Sequence, residues 1–156
     1  MLLLLFYLEE NLYAIETSNI LEVVPMVILR RIQSAQSSAI GFFNYRENIA
    51  PVVDLRALIC GQPSQVCYRT RILMAQNPAT SKSIGFIAER VTETFKVSDP
   101  AAKMTESTSN SPVLGKLFLT EKGMIQMINI QHLMSNTLTA ISLEEKDGEG
   151  CKTPSN

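Results

Sequence analysis

Residues 52–59, Val52-Val53-Asp54-Leu55-Arg56-Ala57-Leu58-Ile59, decide how this chain is organised, because their pattern returns as Met127-Ile128-Asn129-Ile130-Gln131-His132-Leu133-Met134, an offset of 75 (127 − 52). Apolar positions match apolar positions throughout, with Ala57 against His132 as the one exception. The polar residue at the third position is Asp in one copy and Asn in the other, and both types cap helices by accepting backbone N–H bonds. Each copy therefore reads as the end of a strand, a cap (Asp54 or Asn129) and a helical turn.

Working outward, Ile40–Tyr45 and Ile49–Val53 flank Arg46-Glu47-Asn48, and Val113–Thr120 and Met124–Ile128 flank Glu121-Lys122-Gly123. Both read as hairpins, with Gly41 opening one and Gly115 the other. Further upstream, Ala14-Ile15 with Ile20-Leu21-Glu22 lies against Gly85-Phe86 with Val91-Thr92-Glu93, an offset of 71 (85 − 14). A small drift in offset is what loop insertions leave between two copies of one unit. Leu2–Leu8 and Leu12–Ile15 form another hairpin about Glu9-Glu10-Asn11, and Thr70–Ala75 and Ile84–Ala88 read as strands. Thr17 or Ser18 is expected to cap a short segment, Asn19–Val24, that Pro25 stops. Residues 26–39 and Ser98–Pro112 read as loops, the latter for its two prolines and polar content. Strands so short cannot bury both faces unless each set curls into a barrel or the sets pack together. The expected fold is mostly β: two small tandem barrels related by internal duplication, with short helices.

The 156 residues suit one compact domain or two very small ones, and 46% hydrophobic content is enough for a core. Net charge is −1. Six acids and six bases fall in the first 75 residues, nine acids and eight bases in the rest, so neither half could track a phosphate backbone. Nucleic acid is not expected as a partner. The three cysteines, Cys60, Cys67 and Cys151, have no CxxC spacing and an uneven count, which fits free thiols in a reducing cytosol. One histidine excludes any site needing two. The apolar start, Met1 to Leu8, lacks a basic leader region and is closed by Glu9-Glu10; it is expected to be a buried first strand and not a signal peptide or a membrane span. Residues from Ser142 onward have almost nothing to bury and read as a disordered tail. The chain carries no Gly-rich phosphate loop, nucleophile elbow or metal-spaced His/Cys cluster. No catalytic residue, cofactor or metal is expected.

The ordered set of these pieces resembles the CheW-like domain family. Gly41-Phe42-Phe43-Asn44-Tyr45-Arg46-Glu47-Asn48-Ile49-Ala50-Pro51-Val52-Val53-Asp54-Leu55 is similar to the family's central signature, an Asn-x-Arg-Gly hairpin followed by Pro-Val-x-Asp-Leu. Tyr13-Ala14-Ile15 with Ile20–Pro25 resembles its opening segment, Ile84–Ile87 with Val91-Thr92-Glu93 its middle one, and Gly115–Leu133 its closing one. The resemblance implies a pair of five-stranded SH3-like barrels over residues 1–138, with halves of roughly 12–60 and 84–134. Strand 1 and the strand at 70–76 would complete the barrels, and 139–156 would form the tail. It also implies a cytoplasmic, non-catalytic adaptor, recruited to membrane receptor arrays through its partners. Those partners would be the tip of a methyl-accepting-type receptor and the CheW-like regulatory domain of a histidine kinase, in a two-component pathway for chemotaxis or motility. On this sequence the receptor-side surface falls on Arg46, with Asn44 beside it and Val23 and Val24 as apolar neighbours. The family's Gly after the Arg is Glu47 here; Asn48 is expected to supply the positive φ one position later, and Glu47 to pair with Arg46. An orphan small-barrel interaction module with unrelated partners is the alternative, and an enzyme on a small β scaffold is a remote third.

Overall fold

The computed structural model describes residues 1–31, 39–97 and 110–136, and the backbone of 103–105. Its strands run β1 (Leu2–Leu8), β2 (Asn11–Glu16), β3 (Glu22–Pro25), β4 (Arg30–Arg31), β5 (Ala39–Tyr45), β6 (Asn48–Asp54), β7 (Arg71–Gln76), β8 (Ser83–Ala88), β9 (Arg90–Lys96), β10 (Lys103–Thr105), β11 (Leu114–Thr120) and β12 (Gly123–Ile128). Helix α1 (Leu55–Cys60) follows β6, and residues 130–136 form a second helix after β12.

Two six-stranded sheets result, ordered β10-β11-β12-β2-β1-β9 and β3-β7-β8-β6-β5-β4. In each, five principal strands are joined by one short outer strand, β10 or β4. The two orders are the same order: adding six to β3, β4, β5 and β6, and subtracting six from β7 and β8, turns the second sheet into the first, read from its other edge. The registers agree residue by residue. Met127 lies opposite Ala14 across the parallel β12–β2 pair, and Val52 opposite Gly85 across the parallel β6–β8 pair. Leu4 faces Ile15 in one hairpin and Leu73 faces Phe86 in the other. Three of these partners keep the offsets of 75 and 71 read from the sequence, and Leu4 against Leu73 adds one of 69 (73 − 4).

The copies exchange their opening hairpins. Sheet one takes β1 and β2 from the first copy and β9–β12 from the second; sheet two takes β7 and β8 from the second and β3–β6 from the first. The strands of residues 12–60 and 84–134 are therefore divided between the sheets, with β2 and β8 each placed in the sheet built mainly by the other copy.

That exchange explains why β1 is an unbroken apolar run. Leu3 and Leu5 fill the interior of the first sheet with Leu12, Ala14, Phe118 and Ile125. Leu4, Phe6 and Leu8 point the other way, into a cluster shared with Leu73, Ala75, Ile84 and Phe86 of the second sheet. Strands β7 and β8 alternate likewise, with Ile72, Met74 and Ile87 in the second sheet's own interior. A strand buried on both faces has no polar alternate residues to show.

Three local expectations change. Thr17–Asn19 is a 3-10 turn with no side-chain cap, and Thr17 Oγ1 donates instead to the Leu2 carbonyl at 3.1 Å. Glu22–Pro25 is an edge strand on β7, with Pro25 last, where its missing N–H costs no ladder bond. Short strands lie within both expected loops: β4 pairs with β5, and β10 with β11. The tail lies outside the described residues.

Candidate functional site

The β5–β6 hairpin closes between Tyr45 and Asn48, leaving Arg46 and Glu47 as its two tip residues. Their φ angles are 48° and 66°, the left-handed pair that a two-residue turn needs to match strand twist. The turn is thus not displaced to Asn48, which instead begins β6 and donates from Nδ2 to the Arg46 carbonyl at 3.2 Å. In the other copy the positive φ sits on Gly123, the counterpart of Asn48. Glu47 is exposed.

Arg46 pairs with Glu22, not with Glu47. Its Nη2 lies 3.3 Å from Glu22 Oε2, and its guanidinium sits 5.2 Å over the Tyr45 ring. Tyr45 Oη donates to the same Glu22 oxygen at 2.7 Å. The Tyr45 ring is buried in the second sheet's interior beside Phe43, 5.9 Å away, so the hairpin tip and the start of β3 are tied at one carboxylate. Burial, and then the bond to Glu22, push the Tyr45 hydroxyl above its ordinary pKa of 10.0, and Arg46 opposes them.

Val23 and Val24 follow Glu22 along β3. Val24 packs partly against the second sheet's core, whereas Val23 is 40% exposed. Asn44 is exposed on β5 opposite Ile49, itself 78% exposed. The structure thus gathers Arg46, Val23 and Val24 around Glu22, and puts Asn44 on the same hairpin. Sequence reasoning missed Glu22, Tyr45 and Ile49. One signal was present: Glu22 aligns with Glu93 in the repeat. Glu93 pairs with Lys122 at the tip of the β11–β12 hairpin, the same strand-to-tip tie in the other sheet.

The Arg46–Glu22 pair has side chains 66% and 44% exposed, where ion pairs contribute only about 0–1 kcal/mol. A partner carboxylate or a set of carbonyls can displace Glu22 at small cost. Arg46 supplies a planar fork for such a contact.

The acid–base inventory is taken up by structure. Asp54 accepts from the Arg56 and Ala57 N–H groups at 3.0 and 3.4 Å, and from Ser64 N and Oγ at 2.7 and 2.6 Å. Asn129 Oδ1 accepts from His132 N at 3.1 Å. His132 is half-buried with Nε2 3.0 Å from Asn136 Nδ2. Burial pushes the Cys60 thiol up, while hydrogen bonds from the Arg69 backbone and Thr70 hold the Cys67 thiol down. Among the described residues no group of three or more His, Cys, Asp or Glu could hold a metal ion, and no helix is long and apolar enough to cross a membrane.

The family model for the CheW-like domain matches residues 2–138. The "Chemotaxis protein CheW" of Helicobacter pylori (strain ATCC 700392 / 26695) is 27% identical over 109 residues, 67% of this chain and 65% of that protein. The chain thus spans just under two thirds of that relative's length. The crystal structure of scaffolding protein TtCheW from Thermoanaerobacter tengcongensis superimposes with a TM-score of 0.72 at 22% identity, covering 85% of this chain and 86% of the other. At that identity the likeness is one of fold: two SH3-like barrels.

Proposed function

The chain belongs to the CheW-like domain family, and from that premise we propose that it is a non-catalytic signalling adaptor coupling chemoreceptor-type proteins to a histidine kinase in a chemotaxis or motility pathway. Residues 1–138 form the working unit, placed in the cytoplasm and brought to membrane receptor arrays by its partners. The receptor tip docks on the surface of Arg46, Asn44, Val23 and Val24, and the kinase's regulatory domain takes another face.

The observation that carries this reading is the Arg46 fork, held on a stiff two-residue turn over the Tyr45 ring and countered, among the described residues, by one exposed carboxylate. Preorganised but weakly paired arginines suit recognition, because little ordering entropy is left to lose on binding. Arg46→Ala is expected to fold normally and to bind a receptor-tip fragment about ten-fold or more weakly by calorimetric titration, as loss of a hot-spot arginine does. Unchanged affinity would remove the receptor from this surface.

A further inference from the structure

A second surface lies where the two sheets meet, at the start of β7. There a cleft of about 350 Å³ is lined by Tyr7, Arg69, Arg71, Arg90, Val91 and Thr92. Three guanidiniums in one small cleft stand out in a chain of net charge −1. We propose that this cleft binds an acidic segment of a partner polypeptide, through bidentate contacts from Arg69, Arg71 and Arg90 to its carboxylates. The proposal goes beyond the adaptor reading and does not use the Arg46 surface.

Among the described residues, none of the three arginines has a carboxylate partner. Arg90 sits 4.7 Å over the Tyr7 ring and donates from Nη2 to the Glu9 carbonyl at 2.7 Å. Arg71 Nη1 donates to the carbonyls of Tyr68 and Thr70 at 2.7 and 3.0 Å. Arg69 lies 5.5 Å over the Tyr68 ring and donates from Nε to its hydroxyl at 3.0 Å. Among the described residues the arginine ion pairs are those of Arg46 with Glu22 and of Arg56 with Glu9 and Glu89. The nearby Glu9 carboxylate is thus engaged by Arg56. Like charges brought together cost energy unless an anion joins them, while bound carbonyls and rings fix each fork at low entropy.

The fold does not require the charges of Arg71 and Arg90. By the repeat offsets of 69 (73 − 4, from the Leu4–Ile15 and Leu73–Phe86 register pairs) and 71, Arg71 corresponds to Leu2 and Arg90 to Asn19, while Tyr7 corresponds to Gln76. The counterpart positions therefore build the same strand junction with no arginine. A short run of carboxylates fits three charges in this volume, whereas a nucleic-acid backbone needs a longer basic track than either half offers.

The test is fluorescence anisotropy of a labelled hexaglutamate peptide with the whole chain. Binding is expected at low salt, weakening steeply as salt rises to about 0.5 M, and at least ten-fold weaker in Arg69→Gln/Arg90→Gln. Arg30→Gln/Arg31→Gln removes the same charge from exposed β4 and is expected to bind as the unaltered chain does. An equal loss in both double variants, or none in the first, would overturn the proposal. So would inorganic phosphate occupying the cleft while the peptide does not bind.

Discussion

At the β5–β6 tip, two residues without glycine's freedom share a left-handed turn, and the surrounding contacts pin them there. Left-handed backbone costs an L-residue roughly 1–2 kcal/mol. Glu47, exposed and at φ 66°, carries that cost, so Glu47→Gly is expected to raise stability by up to about 1 kcal/mol in urea denaturation without shifting the Tyr45–Asn48 register. Lower stability would mean that Glu47 makes a compensating contact. At the same corner, Tyr45 is held neutral by burial and by its bond to Glu22. Its folded pKa lies above the unfolded one, so its contribution is full below pH 10 and is lost as pH rises through the raised value. Tyr45→Phe is expected to flatten part of the alkaline fall in stability above about pH 10, measured against the unaltered chain. An identical fall in both would rule out Tyr45 as a contributor. The residue types at this corner were legible, since the Asn-x-Arg hairpin could be read directly. The Arg46–Glu22 pair was not, because its members lie 24 residues apart on separate strands.

At the scale of strands, Gly85 on β8 leaves room for the side chains of its hairpin partner β7 and for Val52 of β6, 3.3 Å from where its Cβ would sit. A Cβ on Gly85 would fall 2.6 Å from Ile72 Cγ2 and 3.2 Å from Met74 Sδ. Its counterpart Ala14 already fits a methyl in the other sheet, fully buried. Gly85→Ala is therefore expected to overpack the second sheet's interior and cost about 1–3 kcal/mol by chemical denaturation; a neutral result would mean that Ile72 and Met74 repack freely. Hairpins announced themselves by turn residues between apolar runs. Strand β3 did not, since Glu22-Val23-Val24-Pro25, three of them exposed at an edge, show neither alternation nor a continuous apolar run. Strands β4 and β10 are shorter still, and are fixed by pairing with β5 and β11 more than by their own composition.

At the scale of the molecule, the duplication could be read because apolar positions and caps survive in both copies. The exchange of hairpins could not, because parallel β12–β2 and β6–β8 pairs are long-range and leave no turn signal between them. The exchange makes one folding unit of two barrels: Phe86 of the second sheet is fully buried in the same cluster as Phe6 of the first. Phe86→Ala is expected to cost about 3–5 kcal/mol and to raise hydrogen exchange in both sheets together. Exchange confined to the second sheet would show that the barrels unfold separately. Two barrels joined through one core leave separate faces outside it, which is what the proposed adaptor role, holding two proteins at once, demands. The direct measurement is the mass, by light scattering, of a mixture of this chain, a receptor-tip fragment and the kinase's regulatory domain. A ternary species that forms only when this chain is present is the predicted result; binary complexes alone, with one partner displacing the other, would contradict it.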